Sequence, residues 1–171
     1  MTGAGLKRRS ERVKLSTAQI GRCGELLVQL KLLRLGIDSA ALSTDKGVDL
    51  VAYSPTTSKA VSIQVKSNLK AKPGGGKGKL ALDWWVKCPI PADYVALVDL
   101  SSDDVWLLSR DEFDSHAQQR SSGRLHLYMY VDPTARARKR TRLVQAYEFG
   151  QFLLPNCAHR VFGTEDPCVT P

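Results

Sequence analysis

The chain has 171 residues, a formal net charge of +8 and 43% apolar residues. That length suits one domain with a sizeable core, and the charge favours an anionic partner, nucleic acid foremost. No apolar run reaches membrane length, and the basic N-terminus lacks the apolar stretch of a secretory signal, so the expectation is a cytoplasmic protein with no membrane partner.

Residues 1–15 form a basic arm, with Lys7, Arg8, Arg9, Arg12 and Lys14 against the single acid Glu11. A helix is predicted over 17–35, capped by Ser16 or Thr17 and ended by Gly36. Ile20, Cys23, Leu27, Leu30 and Leu35 recur at helical spacing, and Val28, Leu32 and Leu33 widen the stripe. Gly21 and Gly24 are costly inside a helix, about 1 kcal/mol each against alanine. The close approach of another backbone or a ligand is the best reason for them. Glu25 follows directly.

The pattern then changes to period two, with strands predicted at 38–42, 49–53, 60–67, 93–99, 104–108 and 125–131. Residues 71–79, AKPGGGKGK, read as a flexible basic loop. Residues 93–110 read as a hairpin turning at Ser101-Ser102-Asp103, a scaffold element. A short helix is predicted over 111–119, capped near Ser109. Residues 134–142 hold five basic residues and no acid, 143–154 read as helical or extended, and 155–171, with Pro155, Pro167 and Pro171, as an irregular tail. The order of elements predicts an α/β fold: a small mixed central sheet flanked by helices. The domain proper is placed at 16–154, between the arm and the tail. The four cysteines make no CxxC pair and the three histidines no HxxxH spacing, which argues against a zinc site and leaves a Cys157–Cys168 disulfide open.

The chemistry concentrates in the stretch GVDLVAYSPTTSKAVSIQVKS, residues 47–67. Alternation on strand 60–67 sends Val61, Ile63 and Val65 to one face and Ser62, Gln64 and Lys66 to the other. Asp49 opens the preceding strand, and a short link brings it back beside Gln64 and Lys66. Such a cluster suits phosphodiester hydrolysis. A divalent cation takes oxygen ligands; Asp49 offers a carboxylate, Gln64 an amide oxygen, Val65 its carbonyl and Glu25 a second carboxylate. Lys66 can hold a water and offset charge on the phosphate. The bland alternatives are a strand-edge lysine, a turn aspartate and a surface helix acid.

The order Glu25, then Gly47-Val48-Asp49, then Gln64-Val65-Lys66 resembles the PD-(D/E)XK nuclease superfamily in its QxK variant. GRCGELLVQLKLLRLGID resembles that superfamily's first helix, GVDLVAY its central strand and SIQVKS its QxK strand. The flavour is that of group I intron-associated endonucleases, type IV restriction nuclease domains and archaeal Holliday junction resolvases. The resemblance covers residues 17 to about 110. It implies a restriction-endonuclease-like core, a magnesium-dependent DNA endonuclease (manganese substituting), Lys66, Asp49, Gln64 and Glu25 as catalytic residues, and metal held by Glu25, Asp49, Gln64 and Val65. It further implies a homodimer and no small-molecule cofactor. Val48 stands where the family pattern has proline, and Gln64 removes one negative charge.

The basic segments supply backbone contacts that position without specifying: Lys70, Lys72, Lys77 and Lys79 after the QxK strand, and Arg136, Arg138, Lys139, Arg140 and Arg142 further on. Of Trp84 and Trp85, alternation buries one and exposes the other, to stack on a base or to pack over the sheet. Two other functions stay open: the same fold kept for nucleic-acid recognition without cleavage, and an RNA-binding accessory protein.

Overall fold

The computed structural model describes residues 14–44, 46–74, 78–136 and 143–164. Helix α1 spans Thr17–Arg34. Ser16 caps it: its hydroxyl accepts from the Gln19 N–H (3.3 Å), while the Gln19 amide oxygen accepts from the Ser16 N–H (2.8 Å). Gly36, at φ +73°, turns the chain out of the helix. The buried stripe of α1 is Gly24, Val28 and Leu32, with Leu27 and Leu35 packed partly beside it. Val28 and Leu32 each contribute about 2 kcal/mol by burial. Leu30 and Leu33, read from the sequence as part of that stripe, are exposed together with Leu26. A helix with leucine on nearly every side does not say which side faces the sheet.

Two sheets follow. The first has the order β1 (Asp38–Ala41), β2 (Leu50–Ser54), β3 (Lys59–Asn68), β6 (Tyr94–Asp99), β7 (Asp104–Ser109). Only β3 and β6 pair in parallel, so the sheet is mixed. The second is antiparallel, in the order β4 (Lys72–Pro73), β5 (Leu80–Lys87), β9 (Arg124–Tyr130), β8 (Gln119–Ser121). The predicted α/β class with a small mixed sheet and flanking helices is what the chain adopts.

The first sheet is the middle layer. One face meets α1 and α3 (Leu154–Phe162) through Val61, Ile63, Val65, Ala96 and Val98. The other face meets the second sheet, α2 (Arg110–His116) and a 3-10 helix (Ala146–Phe152) through Val95, Leu97, Trp106 and Leu108. Ser109 caps α2, as its sequence position predicts. At the start of β3, the backbone N–H and hydroxyl of Ser62 donate to Asp93 Oδ2 at 2.9 and 2.6 Å, locking β3 to the entry of β6. These bonds hold the Asp93 carboxyl below the usual carboxylate range, against a smaller opposing effect of burial.

Residues 154–162 correct the irregular tail expected from 155 onward. They form α3, in which Leu154, Cys157, Ala158, Val161 and Phe162 all enter the core. Pro155 was the misleading signal: proline in the first turn starts a helix without losing a needed N–H. Cys168 lies outside the described residues. The basic loop is also partly structured, since Lys72–Pro73 pairs with β5. No helix among the described residues is long and apolar enough to cross a membrane.

Of the two helix glycines, one has the reason the sequence suggested. A Cβ on Gly24 would lie 1.7 Å from Ser67 Oγ and 2.8 Å from Ser67 Cβ, whereas a Cβ on Gly21 meets nothing within 4 Å. Gly24→Ala is expected to cost about 1–3 kcal/mol by overpacking, lowering the melting temperature by several degrees. Gly21→Ala should be neutral or stabilising by up to about 1 kcal/mol. Thermal melts of the two variants check both signs.

Candidate nuclease site

β3 carries the site. Its pleat sends Gln64 and Lys66 to the face opposite the α1 contact, where Gln64 is buried and Ser62 and Lys66 are half-buried. Beyond Ile63, β3 outruns β2: Leu50 pairs with Ile63, and β2 begins there. Asp49, the residue before β2, fills the gap. Its N–H donates to the Ile63 carbonyl at 2.9 Å, and its Oδ2 accepts from the Val65 N–H at 2.6 Å. In an extended strand the N–H and C=O of one residue leave on the same edge. The Val65 carbonyl therefore emerges on the edge where Asp49 sits.

Gln64 is 5% exposed, and its Oε1 has no hydrogen-bond partner among the described residues. An unpaired buried carbonyl oxygen costs about 1–3 kcal/mol. Gln64 lines a hollow with Lys46, Gly47, Lys87, Pro89 and Pro91. Gly47, at φ +83°, passes so close that a Cβ there would lie 2.7 Å from Pro91 and 3.3 Å from Gln64 Nε2. Lys66, two residues along the same face, lines the adjoining hollow with Trp85, Lys87 and Arg124. It forms no hydrogen bond or ion pair among the described residues.

Glu25 follows Gly24, which lies against Ser67 and Val65 on the α1 side of β3, the face opposite Gln64 and Lys66. Its carboxylate is held by Arg22 at 2.7 Å, with both side chains partly exposed. Among the described residues no three His, Cys, Asp or Glu side chains cluster as a metal site. The oxygen donors that lie beside one another are the Asp49 carboxylate, the unpaired amide oxygen of Gln64 and the Val65 carbonyl; the Glu25 carboxylate is paired with Arg22. Hard oxygen donors of this kind fit magnesium or manganese and not a soft, thiolate-seeking metal.

The basic residues divide. Lys70 is exposed after β3; Lys72 and Lys79 border a groove on the second sheet. Lys79 donates to Thr134 Oγ1 at 2.7 Å and stands 3.5 Å from Asp132. Arg136 donates to the Pro133 and Ala135 carbonyls, at 2.8 and 3.0 Å, within its own loop. Lys77, Arg138, Lys139, Arg140 and Arg142 lie outside the described residues, as does most of the basic arm. Sequence reasoning missed Lys46, Lys87 and Arg124. For Lys87 a signal existed, since it shares the parity of Trp85 on the alternating stretch LDWWVK.

No family model matches the chain, and no curated protein does. Among solved structures, the bacterial homing endonuclease I-Ssp6803I superposes with a TM-score of 0.57 at 15% identity, covering 86% of this chain and 92% of that one. The Archaeoglobus fulgidus Holliday junction resolvase Hjc gives a TM-score of 0.43 at 15% identity, over 67% and 84%. At such identity the likeness to the homing endonuclease is one of fold.

Gln64→Met removes the unpaired amide oxygen at nearly constant volume. In metal-free buffer it is expected to raise the melting temperature by about 2–4 °C. A lowered melting temperature in calorimetry would show that Gln64 serves the fold instead.

Proposed function

We propose that the chain is a metal-dependent DNA endonuclease of the PD-(D/E)XK type, with Asp49, Gln64, Val65 and Glu25 as ligands and Lys66 as the catalytic lysine. The observation that carries this reading is the buried, unpaired Gln64 Oε1. It lies on the face it shares with Lys66, in register beside an aspartate fixed by the Val65 N–H. The fold shared with a homing endonuclease supports it.

A bound magnesium ion supplies a water of lowered pKa and positive charge at the scissile phosphate. The chain's own residues do the rest. The Val65 N–H fixes the rotation of the Asp49 carboxylate, so that ligand is set before substrate arrives. Gln64 contributes an oxygen without a charge, which leaves the site less negative than a set of three acids and eases the approach of a phosphate. The Lys66 ammonium, on a strand buried at Ile63, Gln64 and Val65, orients the attacking water and offsets charge building on the phosphate oxygens. Lys46 and Lys87 stand at the rim of the Gln64 hollow, where a phosphate backbone would pass. A homodimer would set two such sites on one duplex and so cut both strands.

A second reading, DNA binding without cleavage, draws on the Arg22–Glu25 pair, which offsets the charge of one acid. Nicking of supercoiled plasmid decides between the two. The parent protein should nick with magnesium or manganese and stop with EDTA. Lys66→Ala and Asp49→Asn should each lose at least about a hundredfold in rate while keeping the parent fold. A folded Lys66→Ala protein that nicks at the parent rate would sink the proposal. A parent that retards DNA but does not nick it, whichever divalent ion is added, would establish the second reading.

A further inference from the structure

The outer face of the second sheet has a composition that folding does not explain. An antiparallel sheet with one solvated face normally carries polar residues there. Here the outward cross-strand pairs of β5 and β9 run, in register, Lys87–Arg124, Trp85–His126, Asp83–Tyr128 and Ala81–Tyr130. Three of the four positions on the β9 side are aromatic rings.

The rings form a continuous run. Trp85 stacks on His126 with centroids 4.1 Å apart and planes 3° from parallel. His126 is 5.7 Å from Tyr128 with the planes tilted by 53°, and Tyr128 meets Tyr130 edge-on at 5.2 Å and 63°. Alternate residues on a strand are about 6.8 Å apart, comparable to the reach of one stretched sugar-phosphate unit. Trp85 remains 40% exposed, although its neighbour Trp84 is buried. Beyond Trp85 the tyrosines line a groove of about 530 Å³, with Lys72 and Lys79 at its border.

The charges are arranged to match. Lys87 and Arg124 face each other directly across the ladder. Like charges so placed are destabilising, and both residues are exposed, with an anion between them the natural remedy. They line the same hollow as Lys66 and Trp85. In the middle of the face Asp83 holds His126 Nε2 at 3.3 Å. A carboxylate there repels a phosphate and tolerates a base. Cations at both ends, rings between them and an acid among the rings suit a strand whose bases are turned inward. They do not suit a duplex, which presents phosphates to a flat surface.

We infer that this face is a stacking platform for unpaired DNA. A single strand leaves the Lys66 hollow, its phosphate held between Lys87 and Arg124. Its bases then stack from Trp85 along the tyrosines, and the next phosphates lie by Lys72 and Lys79. This adds to the proposed nuclease reading the form of DNA taken up beside the cut. It does not require that the protein cleave.

Because of that independence, the test is run on the full chain in EDTA. The probes are a fluorescent 12-nucleotide single strand, the duplex of the same sequence, a strand with abasic sites in place of its bases, and the ribonucleotide equivalent. Trp85→Ala and Tyr128→Ala should each weaken single-strand binding about tenfold, with the duplex changed less than twofold. Arg124→Ser should weaken single-strand binding and reduce its logarithmic salt slope by about one. The parent protein needs no variant to report: the base-bearing strand should quench the exposed Trp85, and the abasic strand should not. Equal quenching by both strands overturns the platform, as do parent-like single-strand affinities in folded Trp85 and Tyr128 variants. Tighter binding of the ribonucleotide overturns the assignment to DNA. A protein that never nicks plasmid but passes these tests loses the nuclease reading and keeps the platform.

Discussion

β3 is the central strand, packed on the helices by one face and against the second sheet at Gln64 by the other, and the rest of the molecule follows from that constraint. Val61, Ile63 and Val65 face the helices, while Gln64 and Lys66 face the second sheet, where Asn68 Nδ2 donates to the Asp83 carbonyl at 2.8 Å. On this strand Gln64 Oε1 and Ser67 Oγ are both buried without a hydrogen-bond partner among the described residues, and each costs free energy. The apolar half of the pleat fixes the register, since a slip of one residue would exchange the two faces entirely. The same register sets Asp49 opposite Gln64. The packing of the core thus determines the geometry of the candidate site.

How far this was legible in the sequence depends on the element. The period-two pattern of β3 and the apolar hairpin β6–β7 were readable because alternation and turn residues report directly on a half-buried strand. So was the division of labour between Trp84 and Trp85. The second sheet as a layer was not. β5 lies between a glycine-rich stretch and a proline-bearing turn, and its outward residues are aromatic, which blurs the alternation. Residues 154–162 were hidden by a proline that serves as a helix starter. On α1 the composition was right and the orientation was not, because leucines at 26, 27, 30, 32 and 33 offer several equally apolar faces. Only the fit of Gly24 against Ser67 chooses among them.

The candidate site was legible in its residue types and spacing more than in its surroundings. Asp49, Gln64 and Lys66 follow from alternation and one short turn. The anchoring of Asp49 by a backbone N–H, and the lysines of other elements beside Gln64, depend on chain paths that no local pattern encodes. Both bear on charge. Gln64 beside Asp49 adds no negative charge, while Lys46, Lys66 and Lys87 add positive charge around it. Such a balance favours the arrival of a polyanion, and it makes any such association sensitive to ionic strength.

The turn between β2 and β3 is tied to the far end of the described chain: Thr57 Oγ1 donates to the Phe162 carbonyl at 2.6 Å, and Gly163 packs against the same threonine. α3 also fills the core over β3. During synthesis, therefore, the hairpin that carries Asp49, Gln64 and Lys66 leaves the ribosome about a hundred residues before the helix that covers it. Until then its apolar face lacks one of its two helical covers. The nascent chain passes through a stage with the site residues made and the core unclosed, which is the stage most exposed to aggregation and to chaperone capture. The core beneath the candidate site is completed by α3 rather than by the strands that bear its residues.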